Sequence, residues 1–244
     1  MVLDLNNYRV VDISARVVAD VVRINGVHDK GIPDPLGERC QLTEKIGGRG
    51  TDGTMSTRAY MSGHVGTHTE GAKGHISHWK GFKNKGHGLW EYPLSYFYGE
   101  AVVIDLSNLK PGKKRDLFGG VSFFKSYKGQ AITPDYLKDV KKGDIVLLWS
   151  CYKNWKDMPY IPVETAKWLL NKKIKMIGIQ MPGVLFDTPE CTTHNILLAN
   201  DVPITYPLAN LDKLKRKRVF YLGLPINIHD MESTWVRTIA IEEV

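Results

Sequence analysis

His64, His68 and Glu70 fall within one short run, His64-Val65-Gly66-Thr67-His68-Thr69-Glu70. Two neutral imidazoles and a carboxylate are a donor set suited to a divalent ion such as zinc or manganese. Of the chain's eight histidines, five lie between His64 and His87, a clustering that ordinary surface or core histidines do not readily explain. Spacing alone leaves both readings open.

Geometry constrains how the run could work. On a helix, positions i and i+4 share a face but i+6 lies on the far side. On a strand all three side chains share a face, yet His64 and Glu70 would stand about 20 Å apart. Ligands that must each come within about 2 Å of one ion cannot close over that span. The segment must therefore bend, and Gly66 is where it can, because glycine accepts positive φ. Thr67 could hydrogen-bond within the turn and lock it.

The elements that must position this run read as a strand-rich α/β chain. Tyr8–Ile13, Ala101–Leu106, Asp144–Trp149, Lys175–Gln180, Val219–Leu224 and Trp235–Ile241 are short apolar stretches, most of them bounded by turn residues, and predict strands. Val163–Asn171 follows Pro162 and places Ala166, Leu169 and Leu170 on one helical face. A second helix begins after Thr192-Thr193, either of which could cap it, and runs through Ile196-Leu197-Leu198. Thr133–Val140 opens with a cap residue followed by proline and predicts a third. Gly26–Thr57 is rich in Gly, Pro and charge without a clear period, which predicts a long loop or arm. Residues 1–244 read as one domain.

Composition narrows the function classes. With 43% hydrophobic and 24% charged residues the chain sits near ordinary globular usage, so neither disorder nor a fibrous repeat is favoured. No apolar run is long enough to span a membrane, and Met1-Val2-Leu3-Asp4 carries an acid where a signal peptide wants bases, so a cytoplasmic protein is expected. The three cysteines, Cys40, Cys151 and Cys191, are neither a disulfide framework nor a zinc ribbon. The net charge of +7 is spread over clusters such as Lys110–Arg115, Lys138–Lys142, Lys172–Lys175 and Lys213–Arg218, between apolar runs. A nucleic-acid binder would concentrate it on one stripe with interleaved aromatics, so attraction of an anionic small molecule is the simpler use.

The run His-x-Gly-Thr-His-x-Glu resembles the signature of the cyclase family of metal-dependent hydrolases, which includes bacterial kynurenine formamidase and isatin hydrolase and usually has Asp at the last position. Other segments are similar in the right order. They are Val11-Asp12-Ile13-Ser14, Val102–Ser107, Lys142–Trp149, Ile204–Leu214, Leu224-Pro225-Ile226 and Val236–Ile241. The likeness covers most of the chain and is weakest over Gly26–Thr57. It implies a swivelling β/β/α fold with a mixed central sheet. It also implies a homodimer or homotetramer, with residues 26–57 at a subunit contact.

The resemblance further implies roles. His64, His68 and Glu70 would bind the metal. His75 would be the general acid/base, with His78 as rival because one extra residue separates His75 from the motif. His194 stands where some members bind a second metal, and Tyr206 stands where those members have a carboxylate. A neutral phenol with an ordinary pKa near 10 is a poor ligand for a second dication, so one ion is expected, with His194 and Tyr206 as substrate contacts or proton carriers. Gln180, following Gly178-Ile179 where the family tends to have Asp, would touch substrate or hold backbone. Cys151 could be a nucleophile, but metal-activated water makes one unnecessary. The implied activity is hydrolysis of a C–N bond in a small amide or cyclic amide. The alternatives are a lactone or imide hydrolase or a dehydratase on the same scaffold, or a metal- or ligand-binding protein without turnover.

Overall fold

The computed structural model describes residues 5–17, 40–47, 55–83, 86–114, 126–180 and 192–244; for 5, 40–47 and 55–60 only the backbone is described. The strands are β1 (Tyr8–Asp12), β2 (Cys40–Gly47), β3 (Met55–Met61), β4 (His68–Glu70), β5 (Tyr98–Asp105), β6 (Ile145–Trp149), β7 (Met176–Ile179), β8 (Ile204–Tyr206), β9 (Arg218–Leu222), β10 (Ser233–Trp235) and β11 (Ile239–Glu243). The α-helices among the described residues are α1 (Val163–Asn171) and α2 (Thr192–Ala199). Strands outnumber helices, as the sequence predicts.

Nine strands form one mixed sheet in the order β1-β11-β9-β5-β6-β7-β8-β4-β10. The neighbours from β5 through β8 are parallel, and the remaining pairs are antiparallel. The centre follows from composition. Ile145, Val146, Leu147 and Leu148 of β6 are all buried, which suits a parallel strand covered on both faces. The strand's period of two divides them between two cores. Val146 and Leu148 join Val102, Ile177 and Ile204 beneath Ala166 and Leu169 of α1 and Leu197 and Leu198 of α2. Ile145 and Leu147 join Val11, Met176, Val219 and Tyr221 on the other face.

Two polar anchors fix the helices over that first core. Thr165 of α1 donates its hydroxyl to Ile132 O at 2.7 Å, and Thr193 of α2 donates to Ile161 O at 2.9 Å. Thr193 is thereby tied to the chain entering α1. The expected third helix, Thr133–Val140, is reduced to a 3₁₀ turn over Pro134–Leu137. Its bonds run Tyr136 N to Thr133 O and Val140 N to Leu137 O, the tighter spacing of that helix.

The stretch expected as one strand, Trp235–Ile241, is two. Trp235 ends β10 at one edge of the sheet, while Ile239 begins β11 near the other. Four residues of chain reach at most about 14 Å, so the sheet must curl until its ends are close. The seam is visible: Val236 N donates to Thr67 O and Ile13 N to Thr238 O, both at 3.0 Å. Part of the stretch predicted as loop or arm is instead an antiparallel pair, β2 with β3, separate from the main sheet. The rest of it, residues 26–39 and 48–54, lies outside the described residues.

Candidate metal centre

The histidine run crosses the seam of the curled sheet. Gly66 has φ +67°, the left-handed conformation that the required bend calls for, and a Cβ there would meet Val17 Cγ2 at 2.2 Å. Thr67 does not lock the turn from within. Its Oγ1 accepts from Ala15 N and donates to Pro207 O, both at 2.7 Å, stapling the turn to the segments that follow β1 and β8. After the bend the chain enters β4 between β8 and β10.

Strand alternation then sorts the side chains. Thr69 faces away, its Oγ1 2.8 Å from Thr205 Oγ1. His68 and Glu70 face the helix side, where His68 pairs in register with Tyr206 and the two rings meet edge to face at 4.4 Å. His64, before the bend, folds back so that its ring centroid is 5.0 Å from that of His68. His75 arrives on the loop after β4, anchored by the buried Ala72 and Ile76, with its ring 5.1 Å from His64 and 5.2 Å from His194. His194 comes down from the first turn of α2.

All of them converge on Glu70, which has no exposed surface. Its Oε1 lies 3.0 Å from His64 Nδ1, 3.5 Å from His68 Nε2 and 3.7 Å from His75 Nε2, and accepts the Tyr206 hydroxyl at 2.5 Å. Its Oε2 accepts from His194 Nε2 at 2.8 Å. The Glu70 carboxylate thus touches Tyr206 of β8 and His194 of α2 at once.

Charge follows from these contacts. Burial would raise the Glu70 pKa, but the neighbouring His75 and His194 and the hydrogen bond from His194 outweigh it and hold the group well below its ordinary value. Burial would lower the His194 pKa, but the Glu70 charge and hydrogen bond, helped by Asn195, raise it. For His75 burial dominates and lowers the pKa despite Glu70, so this ring is a neutral base at neutral pH.

Among the described residues three trios have ligand atoms close enough to share an ion: His64, His68 and Glu70; Glu70, His75 and His194; and the partly exposed His64, His75 and Glu232. The first fits a divalent cation by its hydrogen bonding. His68 donates Nδ1–H to Gly66 O at 2.8 Å, which fixes the tautomer and leaves a lone pair on Nε2. That Nε2 is buried without a hydrogen-bond partner and faces the carboxylate. In the second trio His194 Nε2 is already spent as a donor to Glu70. His194 also donates Nδ1–H to Asn195 Oδ1 at 2.9 Å.

Other sequence expectations fall elsewhere. His78 is exposed. Gln180, at the end of β7, accepts Ser150 N on its Oε1 at 3.0 Å, the backbone-holding alternative of its two readings. Cys151 is exposed, its backbone N bonded to Ser107 Oγ. Glu232 escaped the sequence reading. It sits 168 residues beyond His64, with Oε1 3.2 Å from His64 Nε2, and no local motif marks it. A cavity of about 590 Å³ lies against the same run, lined by Val65, Thr67, Ala15, Leu222, Leu224 and Trp235 among others. Among the described residues no helix is long and apolar enough to cross a membrane.

Comparison with known proteins places this geometry in context. The family model described as putative cyclase matches residues 11–184. Kynurenine formamidase of Bacillus cereus is 24% identical over 180 residues, 73% of this chain and 76% of that protein. The kynurenine formamidase of Bacillus thuringiensis is 24% identical over 181 residues, with the same shares covered. Among solved structures, isatin hydrolase A from Labrenzia aggregata bound to benzyl benzoate superposes with a TM-score of 0.71 at 20% identity, covering 98% of this chain and 95% of that one. A potential metal-dependent hydrolase with cyclase activity gives a TM-score of 0.66 at 17% identity, covering 97% and 99%.

Proposed function

The chain belongs to the putative cyclase family, and on that premise we propose that it is a metal-dependent hydrolase cleaving a C–N bond of a small amide or cyclic amide. The single observation that carries this reading is the convergence of His64, His68 and Glu70 around a buried His68 Nε2 that has no hydrogen-bond partner. Support for the bond type comes from relatives named kynurenine formamidase and isatin hydrolase.

His64 Nδ1, His68 Nε2 and Glu70 Oε1 would hold one divalent ion, zinc or manganese. Such an ion supplies Lewis acidity, polarising a carbonyl and lowering the pKa of water from about 15.7 toward 7. One ion suits the buried site better than two, since the two trios that contain Glu70 would share that single carboxylate and a second dication there would leave excess buried positive charge.

The remaining roles belong to the protein's own groups. His75, neutral and 23% exposed, takes a proton from the attacking water and returns it to the leaving nitrogen. His194 and Tyr206 could contact substrate or carry protons, and the geometry favours the latter together with positioning, because each is already bonded to Glu70. Gln180 stays in the reading as a substrate contact through its amide nitrogen, since its Oε1 already accepts Ser150 N. The same reading has the enzyme act in the cytoplasm as a homodimer or homotetramer, on a small molecule rather than on nucleic acid or a membrane.

A panel of N-formylarylamines, isatin, cyclic imides and lactones, assayed on zinc- and manganese-loaded protein, tests it. Turnover of the formamide or the cyclic amide is expected. Turnover of lactones alone would overturn the assigned bond type.

A further inference from the structure

We infer that Glu232 is a positioning residue for the metal centre: it accepts the Nε2 proton of His64 and so commits that ring to binding the ion through Nδ1. The inference rests on the metal-centre reading above and adds a residue outside the segment matched by the family model, which ends at 184.

A neutral imidazole carries one N–H, and the hydrogen bond it makes decides which nitrogen keeps a lone pair. His64 presents Nε2 to Glu232 Oε1 at 3.2 Å and Nδ1 to Glu70 Oε1 at 3.0 Å. Only one nitrogen can donate in the neutral ring. His64, His75 and Glu232 also lie within reach of one another, but all three are partly exposed, whereas Glu70 is fully buried and faces the unpartnered His68 Nε2, so the Glu70 side is where an ion belongs. The Glu232 side is left for the N–H. A carboxylate behind a ligand histidine also raises the basicity of the ligating nitrogen.

Glu232 is itself held in place. Its backbone oxygen accepts Gly71 N at 2.9 Å, one residue beyond Glu70, and its Oε1 takes a second bond from Ser233 Oγ at 3.3 Å. Ser233 pairs with Glu70 across β10 and β4. Two glycines admit this approach: a Cβ on Gly63 would stand 2.5 Å from both Ser233 O and Ser233 Oγ, and one on Gly74 would stand 3.3 Å from Glu232 Cβ. His64 and His68 thus use opposite nitrogens. His68 is fixed from behind by its own strand's Gly66 O, and His64 is fixed by a carboxylate from the far end of the chain.

Metal affinity of the chelator-stripped chain, measured by zinc competition, tests the inference without relying on turnover. Glu232→Ala is expected to weaken zinc binding about 10- to 100-fold. Glu232→Gln, which keeps an acceptor oxygen, is expected to recover most of that loss. Long-range ¹⁵N correlation spectra of the zinc-loaded chain should give His64 a protonated Nε2 and His68 a protonated Nδ1. Unchanged affinity in Glu232→Ala, or His64 protonated at Nδ1, would overturn the inference. His68→Ala separates failure of the Glu232 role from failure of the metal centre. If the wild type binds zinc, His68→Ala does not, and Glu232→Ala binds as tightly as wild type, only the Glu232 role fails. If the wild type itself does not bind zinc, the metal centre fails.

Discussion

Tyr206 donates its hydroxyl to Glu70 Oε1 at 2.5 Å, inside a cluster where Glu70 has no exposed surface. The bond links two departures from the pattern the sequence resembles: a longer acid on β4 and a phenol on β8 where a carboxylate would stand. His68 pairs in register with Tyr206 and faces the same side as Glu70, so the phenol reaches the carboxylate that the longer arm presents. The two residues act as one arrangement, with the Tyr206 hydroxyl taking up part of the acceptor capacity of the Glu70 carboxylate.

Tyr206→Phe removes that donor and leaves a buried carboxylate short of a partner. A hydrogen bond to a charged group is worth about 1.5–3 kcal/mol. Urea unfolding of the metal-free variant should show a loss of that size; a variant as stable as wild type would contradict the role. Tyr206→Glu, which supplies the missing carboxylate, should raise the zinc content toward two per chain.

His75→Gln is expected to lower kcat about 100- to 10,000-fold while zinc affinity stays within a few-fold, since the ring handles protons and does not hold the ion. His78→Gln, at an exposed position, should leave both unchanged. Equal losses in the two variants would remove the assignment.

The bend can be tested apart from the chemistry. Gly66 sits at φ +67°, where an L side chain costs about 1–2 kcal/mol. Gly66→Ala should lower the melting temperature and weaken zinc binding together, because His64 and His68 flank the bend. A loss of stability with unchanged zinc affinity would separate the turn from the centre.

Much of this was legible in sequence, and the boundary is physical. The apolar run of β6 and the helix α1 are carried by local composition, and α2 by its first-turn threonines and apolar run, so their positions emerged. The need for a bend at Gly66 followed from three side chains that cannot reach one ion along a straight strand. The short strand β8 did not emerge and β10 was merged with β11, because three residues carry too little pattern. Thr67 was misjudged for the same reason that Glu232 was missed. Their partners, Pro207 and Ala15 in one case and His64 in the other, lie far away in the chain, and only the curled sheet brings them together.

Acid stability should report on Glu242, at the opposite edge of the sheet. Burial would raise its pKa, but the backbone N–H groups of Arg216 and Lys215 and the Arg9 side chain hold it below the ordinary 4.5. A depressed folded pKa means its contribution is complete above the unfolded value and is lost as pH falls through the folded one. Glu242→Gln should therefore melt below wild type at pH 7, with the gap closing as pH drops below 4.5. A gap that is constant with pH would contradict this.

The central claim is that His64, His68 and Glu70 hold one divalent ion on which hydrolysis depends. Metal content per chain, measured beside the hydrolysis rate before chelation, after it, and after adding back zinc or manganese, tests it most directly. One equivalent is expected in the wild type and none in His68→Ala, with activity that is lost and restored with the ion. Two equivalents in the wild type, or hydrolysis that persists after the metal is stripped, would contradict it.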